Sequence, residues 1–240
     1  MMKHLPYFLL LLFIACGQEP PKTTPAPRWD SLPTAELVKI QDTVTIAETF
    51  TDSLRIGSKK HNKVELVNYR QGDTAWVTIK FYSRRDTGWL LKNEFNQDGV
   101  YAGVSDPTVL DYNNDRFNDL RYFIGTGARG GNSFYEMFLY DQAGDQLKIL
   151  KGADDYPNIN YNKTLNCLES LALTGSCTTS FLRISGDSVV EFASVDVDGR
   201  QITVQELDKD GQMKTTLEKK SSLLCPVKVK NFKPLVIEED

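Results

Sequence analysis

The residues with the clearest chemical spacing are Asp111–Leu120, DYNNDRFNDL, which place oxygen-bearing side chains at Asp111, Asn113, Asp115 and Asp119. A chain looping around a hard cation turns alternate residues inward, so this spacing predicts an oxygen shell about one Ca²⁺. The backbone carbonyl of Phe117 would complete the shell. No His or Cys lies in the segment, which favours Ca²⁺ over zinc or copper. The same residues also suit a metal-free polar turn, because Asp and Asn side chains bond readily to nearby backbone. A hydrophobic alternation comes directly after, through Leu120, Tyr122 and Ile124.

Other chemistries find less support. Gly125–Gly130, GTGARG, matches G-x-G-x-x-G in form, but a dinucleotide site needs a helix to start there. The next residues, NSFYEMFLYD, alternate like a strand, and no Gly-Lys-Ser/Thr is present. The stretch therefore predicts no nucleotide site but a hairpin tip presenting Arg129 and Asn132 to solvent or a partner. Of two histidines, His4 lies near the N-terminus and His61 sits among Lys59, Lys60 and Lys63, with no carboxylate beside it to orient a catalytic imidazole. Neither H-E-x-x-H nor G-x-S-x-G occurs. No pair of acids stands out for glycoside cleavage. The expectation is a non-catalytic binding domain, with a carboxylate-based glycan hydrolase or a purely structural surface lipoprotein as the alternatives.

The elements that must position these residues read as strands. TVTIAETF (43–50), KVELVNY (63–69), AWVTIKFY (75–82) and WLLKNEF (89–95) alternate and are rich in β-branched and aromatic residues. DLRYFIG and NSFYEMFLYD flank the Gly-rich tip, and QLKIL comes after them. A meander closes the chain: VVEFASVDV, RQITVQELD and QMKTTLEK, joined at Asp198-Gly199 and Asp210-Gly211, pairs that suit hairpin turns with two positive φ values. Only 33–40 and 165–173 read as weakly helical. The fold class is all-β: a predominantly antiparallel meander, sandwich or partial propeller-like domain with one or two short helices. No strict repeat supports a regular propeller.

The N-terminus, MMKHLPYFLLLLFIAC, has a basic start and an apolar run too short to span a bilayer. A small residue directly before Cys16 resembles a bacterial lipoprotein signal, which implies cleavage after residue 15, acylation of Cys16 and a membrane anchored through that lipid. Residues 16–33 are Pro-rich and polar, a semi-rigid tether, and 34–240 is read as one β domain. The net charge of −4 leaves no basic footprint for nucleic acid. In an oxidising compartment two of Cys167, Cys177 and Cys225 can pair. Cys167–Cys177 closes the shortest loop and is the first choice, against three reduced, buried thiols.

With those residues in view, the 111–120 loop resembles the D-x-[DN]-x-D-G-x-x-D-[LI] calcium loops of FG-GAP and VCBS-type β proteins. The stretch from Asp106 to Tyr161, with its FLYD strand, QLKIL and YPNINYN, is similar to small periplasmic FG-GAP-like lipoproteins, some of which are immunity proteins blocking lysozyme-like peptidoglycan hydrolases. The resemblance implies Ca²⁺ held by Asp111, Asn113, Asp115, Phe117 and Asp119. It also implies residence in the cell envelope, at the outer membrane on its periplasmic or surface face, and a hydrolase or other envelope protein as partner. Arg116 departs from the pattern, standing where those loops carry the glycine that permits a sharp turn. Arginine at positive φ costs about 1 kcal/mol or more.

Overall fold

A computed structural model describes residues 43–99 and 104–238. Cys16, the leader, the Pro-rich stretch and the helix expected at 33–40 lie outside the described residues. Each strong alternation becomes a strand paired with its sequence neighbour. β1 (Thr45–Asp52), β2 (Asn62–Gln71), β3 (Thr74–Arg85) and β4 (Gly88–Asp98) form one antiparallel meander. In β2 the period of two is plain: Asn62, Val64, Leu66 and Asn68 are buried, and the residues between them are half-buried. β5 (Thr108–Leu110), β6 (Asp119–Gly127), β7 (Asn132–Asp141) and β8 (Gln146–Ile149) form a second meander. The third sheet runs β14-β13-β12-β11-β10-β9, from β9 (Asn160–Asn162), β10 (Cys167–Leu173) and β11 (Cys177–Ser185) through β12 (Ser188–Val197), β13 (Gln201–Leu207) and β14 (Met213–Lys220). A short hairpin, β15 (Val229–Phe232) and β16 (Leu235–Ile237), comes last. The fold is all-β and antiparallel, and the only helical pieces among the described residues are single 3₁₀ turns at Ala128–Gly130 and Ala153–Asp155.

Packing depends on which side of each strand is apolar. Val64, Leu66, Val77, Ile79 and Phe81 of the first sheet meet Leu120, Tyr122, Phe138 and Tyr140 of the second. On the opposite side of β7, Met137 and Leu139 join Leu150, Ile159, Leu168 and Leu182 in another core. The run Met137–Tyr140 is therefore buried on both faces, two residues serving each core. Full burial of such a side chain stabilises by about 1.5–3 kcal/mol. A third core unites Phe181, Val195 and Val204 with Val229, and the Phe181 and Phe232 rings meet at 5.2 Å between centres.

Three sequence expectations are corrected. Residues 165–173 are not helical: Cys167–Leu173 is β10, paired to β9 on one side and β11 on the other. Leu, Glu and Ala are good helix formers, but the preference is small per residue and ladder pairing on two edges outweighs it. The disulfide joins Cys177 to Cys225, leaving Cys167 free and buried. In the β10–β11 hairpin Leu173 faces Cys177, so Cys167 stands at the far end, about 20 Å away at strand rise. Finally, Asp198 and Asp210 do not take positive φ; only Gly199 and Gly211 do. Instead, the Asp198 carboxylate accepts the N–H groups of Arg200 and Gln201, both at 2.7 Å, and builds a longer loop capped by a side chain.

Candidate functional site

The acid-rich segment closes the β5–β6 hairpin, where Leu110 pairs with Asp119. Asp111 accepts the N–H of Arg116 at 2.9 Å and that of Asp115 at 3.2 Å. Asn113 accepts Asp115 N–H, and Asp115 accepts Phe117 N–H at 2.8 Å. These bonds wind the loop tightly, with Asn114 at φ 61° and Arg116 at φ 78°. Arg116 thus adopts the left-handed conformation that glycine supplies in the loops the segment resembles.

Asp119 is fully buried, with one oxygen accepting Tyr112 N–H at 2.9 Å and the other Tyr140 N–H at 2.8 Å. It thereby ties the loop to β7. Burial raises its pKa to about 8, the two N–H groups oppose the rise, and the charges of Asp115 and Asp111 add to it. The loop is also fastened to the first sheet. Asp52, itself buried, accepts the N–H groups of Leu54, Arg55 and Ile56 and shapes the turn leading to Gly57. Gly57 N–H then donates to Asn118 O at 2.8 Å, and Asn118 Nδ2 donates to Arg55 O at 2.9 Å. A Cβ on Gly57 would lie 2.7 Å from Asn62 Oδ1, so only glycine fits there. On the other side, Asn114 Nδ2 donates to Asn166 Oδ1 at 3.1 Å.

The donor set is that of a hard cation: three carboxylates, one amide oxygen and a main-chain carbonyl. The side chains of Asp111, Asn113 and Asp115 nonetheless point at their own loop's N–H groups, and Asn113 Nδ2 donates to Asp115 at 2.8 Å. Among the described residues no three His, Cys, Asp or Glu side chains converge tightly enough to hold a metal. The residue types suit Ca²⁺, but the Asp111, Asn113 and Asp115 side chains would have to turn from backbone to ion, and both Asp119 oxygens already accept backbone N–H groups.

The Gly-rich tip between β6 and β7 is a 3₁₀ turn, and it runs into a strand, where a dinucleotide site would need a helix. Ala128, Arg129 and Gly130 all have positive φ (47°, 58° and 93°), two of them without glycine's freedom. Arg129 is exposed at the apex. Asn132, expected beside it in solvent, is buried instead. Its Oδ1 accepts Leu173 N–H at 2.8 Å and its Nδ2 donates to Leu173 O at 3.2 Å, clamping the base of the tip to β10. Asn158, which sequence reasoning missed, donates to Gly131 O and Leu171 O and accepts Ser133 N–H. Its position in YPNINYN carried no signal beyond a turn-forming residue.

His61 is exposed and lines a cleft with Arg84, Arg85, Asp86 and Trp89. In the cleft between β7–β8 and the β11–β12 turn, Asp141 and Asp187 each pair with a lysine, Lys148 and Lys151, at 2.7 Å. Those lysines hold both carboxyls below the usual range, the opposite of a proton-donating glycosidase acid.

No protein-family model and no curated protein matches the sequence. Among solved structures, a Xanthomonas type IV secretion system related protein superposes with a TM-score of 0.44 at 14% identity, over 72% of this chain and 98% of that one.

Proposed function

We propose that the chain is an envelope-anchored, non-catalytic β domain that takes one Ca²⁺ in the β5–β6 loop and binds a protein or cell-wall partner through exposed loops. The observation that carries this reading is the loop itself, where Arg116 takes φ 78° at the position that glycine holds in the calcium loops the segment resembles. Asp111, Asp115 and Asp119 would supply the charge, and Asn113 and the Phe117 carbonyl neutral oxygens. The ion's contribution is electrostatic: it offsets the repulsion among three carboxylates at the junction of the first two sheets. Cys16 would carry the lipid.

The narrower form makes the domain an inhibitor or immunity protein for a lysozyme-like hydrolase. The Arg129 tip supports it, since strained, exposed residues held by a clamped base are common at binding loops. Asn132 and Asn158 then act as positioning residues.

Melting the mature chain in EDTA and in about 1 mM Ca²⁺ tests the metal. Extracellular calcium modules bind with Kd of roughly 0.1–1 mM, which gives about 0.4–1.4 kcal/mol by linkage, or about 1–6 °C. Asp115→Ala should abolish the shift, and Mg²⁺ should give little of it. An unchanged melt with Ca²⁺ counts against the metal. Failure to slow a panel of muramidases, or the lytic enzyme encoded beside it, counts against the inhibitor form.

A further inference from the structure

One end of the first sheet carries charge of the wrong sign for an acidic chain. The β2 start, the β3 end and the β4 start meet there, bringing together Lys59, Lys60, Lys63, Arg84 and Arg85. The acids near this end are Glu65, bonded to Lys63 at 2.7 Å; Glu94, in the same row and 3.8 Å from Lys80; Asp145 on the inner side, bonded to Asn62 and Ser83 and 3.7 Å from Lys92; and Asp86, while Asp52 is taken up by Arg55. Among the described residues Lys59, Lys60, Arg84 and Arg85 make no ion pair and are exposed. With Lys80 and Lys92 counted beside those acids, seven cations face four carboxylates, in a chain of net charge −4. The acid-rich β5–β6 loop adjoins the same end through Gly57 and Asn118.

Apolar side chains stand among these cations. Register places Trp89 opposite Arg84, and Leu91 opposite Tyr82 and hence in one row with Lys63, all on the outward face. Trp89 is 37% exposed and Leu91 45%. The Lys63 ammonium lies 5.4 Å and the Arg84 guanidinium 5.9 Å from the Trp89 ring centre, so the indole is braced rather than loose. An amphipathic ring, a leucine and cations with long apolar stems are what the headgroup layer of a bilayer accommodates.

We infer that this end of the first sheet docks on an anionic lipid surface, with Lys59, Lys60, Arg84 and Arg85 on the headgroups and Trp89 and Leu91 at their acyl boundary. A soluble polyanion would use the cations but leave Leu91 without a role. The inference draws on the acyl-anchor reading only for a nearby bilayer. The 26 residues between Cys16 and Thr43 are enough chain to reach about 90 Å at full extension, so the anchor leaves this face free to turn to the membrane.

The test uses the mature chain with Cys16→Ser, so that no acyl chain contributes, and EDTA throughout, so that calcium does not. It measures sedimentation with phosphatidylcholine vesicles with and without phosphatidylglycerol, at about 0.1 M salt, where screening acts over about 10 Å. Binding should require phosphatidylglycerol and vanish in high salt. Each Lys or Arg near such a surface is worth about fivefold in partitioning, so Arg84→Gln/Arg85→Gln should lose about 25-fold, as should Lys59→Gln/Lys60→Gln, with melting temperatures unchanged. Leu91→Ser should weaken vesicle binding while leaving capture by dextran sulfate intact. Equal sedimentation of either double variant and the parent overturns the inference. So does capture by dextran sulfate without sedimentation on anionic vesicles, which would mark a soluble polyanion site. Palmitate labelling of the unmodified chain tests the anchor separately.

Discussion

Replacing Arg116 by glycine should stabilise the protein, which is unusual for a change that deletes a long side chain. Arg116 sits at φ 78°, where any residue with a Cβ crowds the following carbonyl at a cost of about 1–2 kcal/mol. Glycine removes that cost but loses about 0.5–1 kcal/mol through greater freedom of the unfolded chain. The net expectation is a gain of about 0.5–1 kcal/mol without metal, or about 1–4 °C. Arg116→Ala is the control. It removes the guanidinium yet keeps the Cβ, and should match the parent, since Arg116 is exposed. Urea unfolding of the three proteins in EDTA isolates the backbone effect as the difference between the glycine and alanine variants. A glycine variant less stable than the alanine variant by about 0.5–1 kcal/mol, the ordinary penalty for glycine, would refute the left-handed loop and with it the calcium-loop course.

Cys225→Ser opens a covalent loop of 48 residues' separation; chain entropy sets the cost at about 4 kcal/mol, or about 8–16 °C in melting temperature, and Cys167→Ser should not reproduce it by disulfide loss. Asn132→Ala leaves the Leu173 N–H and carbonyl unpaired, costing about 1–3 kcal/mol, and proteolysis should then nick the Gly125–Gly131 tip first. Glu136 is raised to about 7, by burial first and then by Asp154. Because its folded value lies above its unfolded one, its favourable contribution is full below about pH 4.5 and is lost as pH rises through 7. Glu136→Gln should therefore melt above the parent at pH 8 and level with it at pH 4, and equal melts at both would disprove the shift.

Much of the fold was legible because most strands have one solvent-facing side, which writes period two into the sequence. TVTIAETF, KVELVNY, AWVTIKFY, WLLKNEF and NSFYEMFLYD all fall on strands. CLESLAL defeated the reading, since good helix formers fill a strand held by neighbours on both edges. Short β5, β9, β15 and β16 offer too few residues for any period to show. Chain spacing placed Cys167 near Cys177, but antiparallel pairing set them at opposite ends of a hairpin and brought Cys225 in from afar. The oxygen spacing of the β5–β6 loop was readable. That Asp119 would bond to β7 was not, for Tyr140 N–H comes from another strand. Asn132 looked like a tip residue because asparagine is common in turns; its burial depends on where β10 lies.

The four consecutive buried residues of β7 also bear on how the protein opens. Met137 and Leu139 belong to one core and Phe138 and Tyr140 to another. The first sheet and the third therefore share a wall. Neither can peel away without baring half of that strand, so the two cores should exchange their amide protons as one unit. In heavy water the amides of Met137–Tyr140 should be the last to take up deuterium, and every condition that hastens them should hasten the protected amides of β3 and β11 equally.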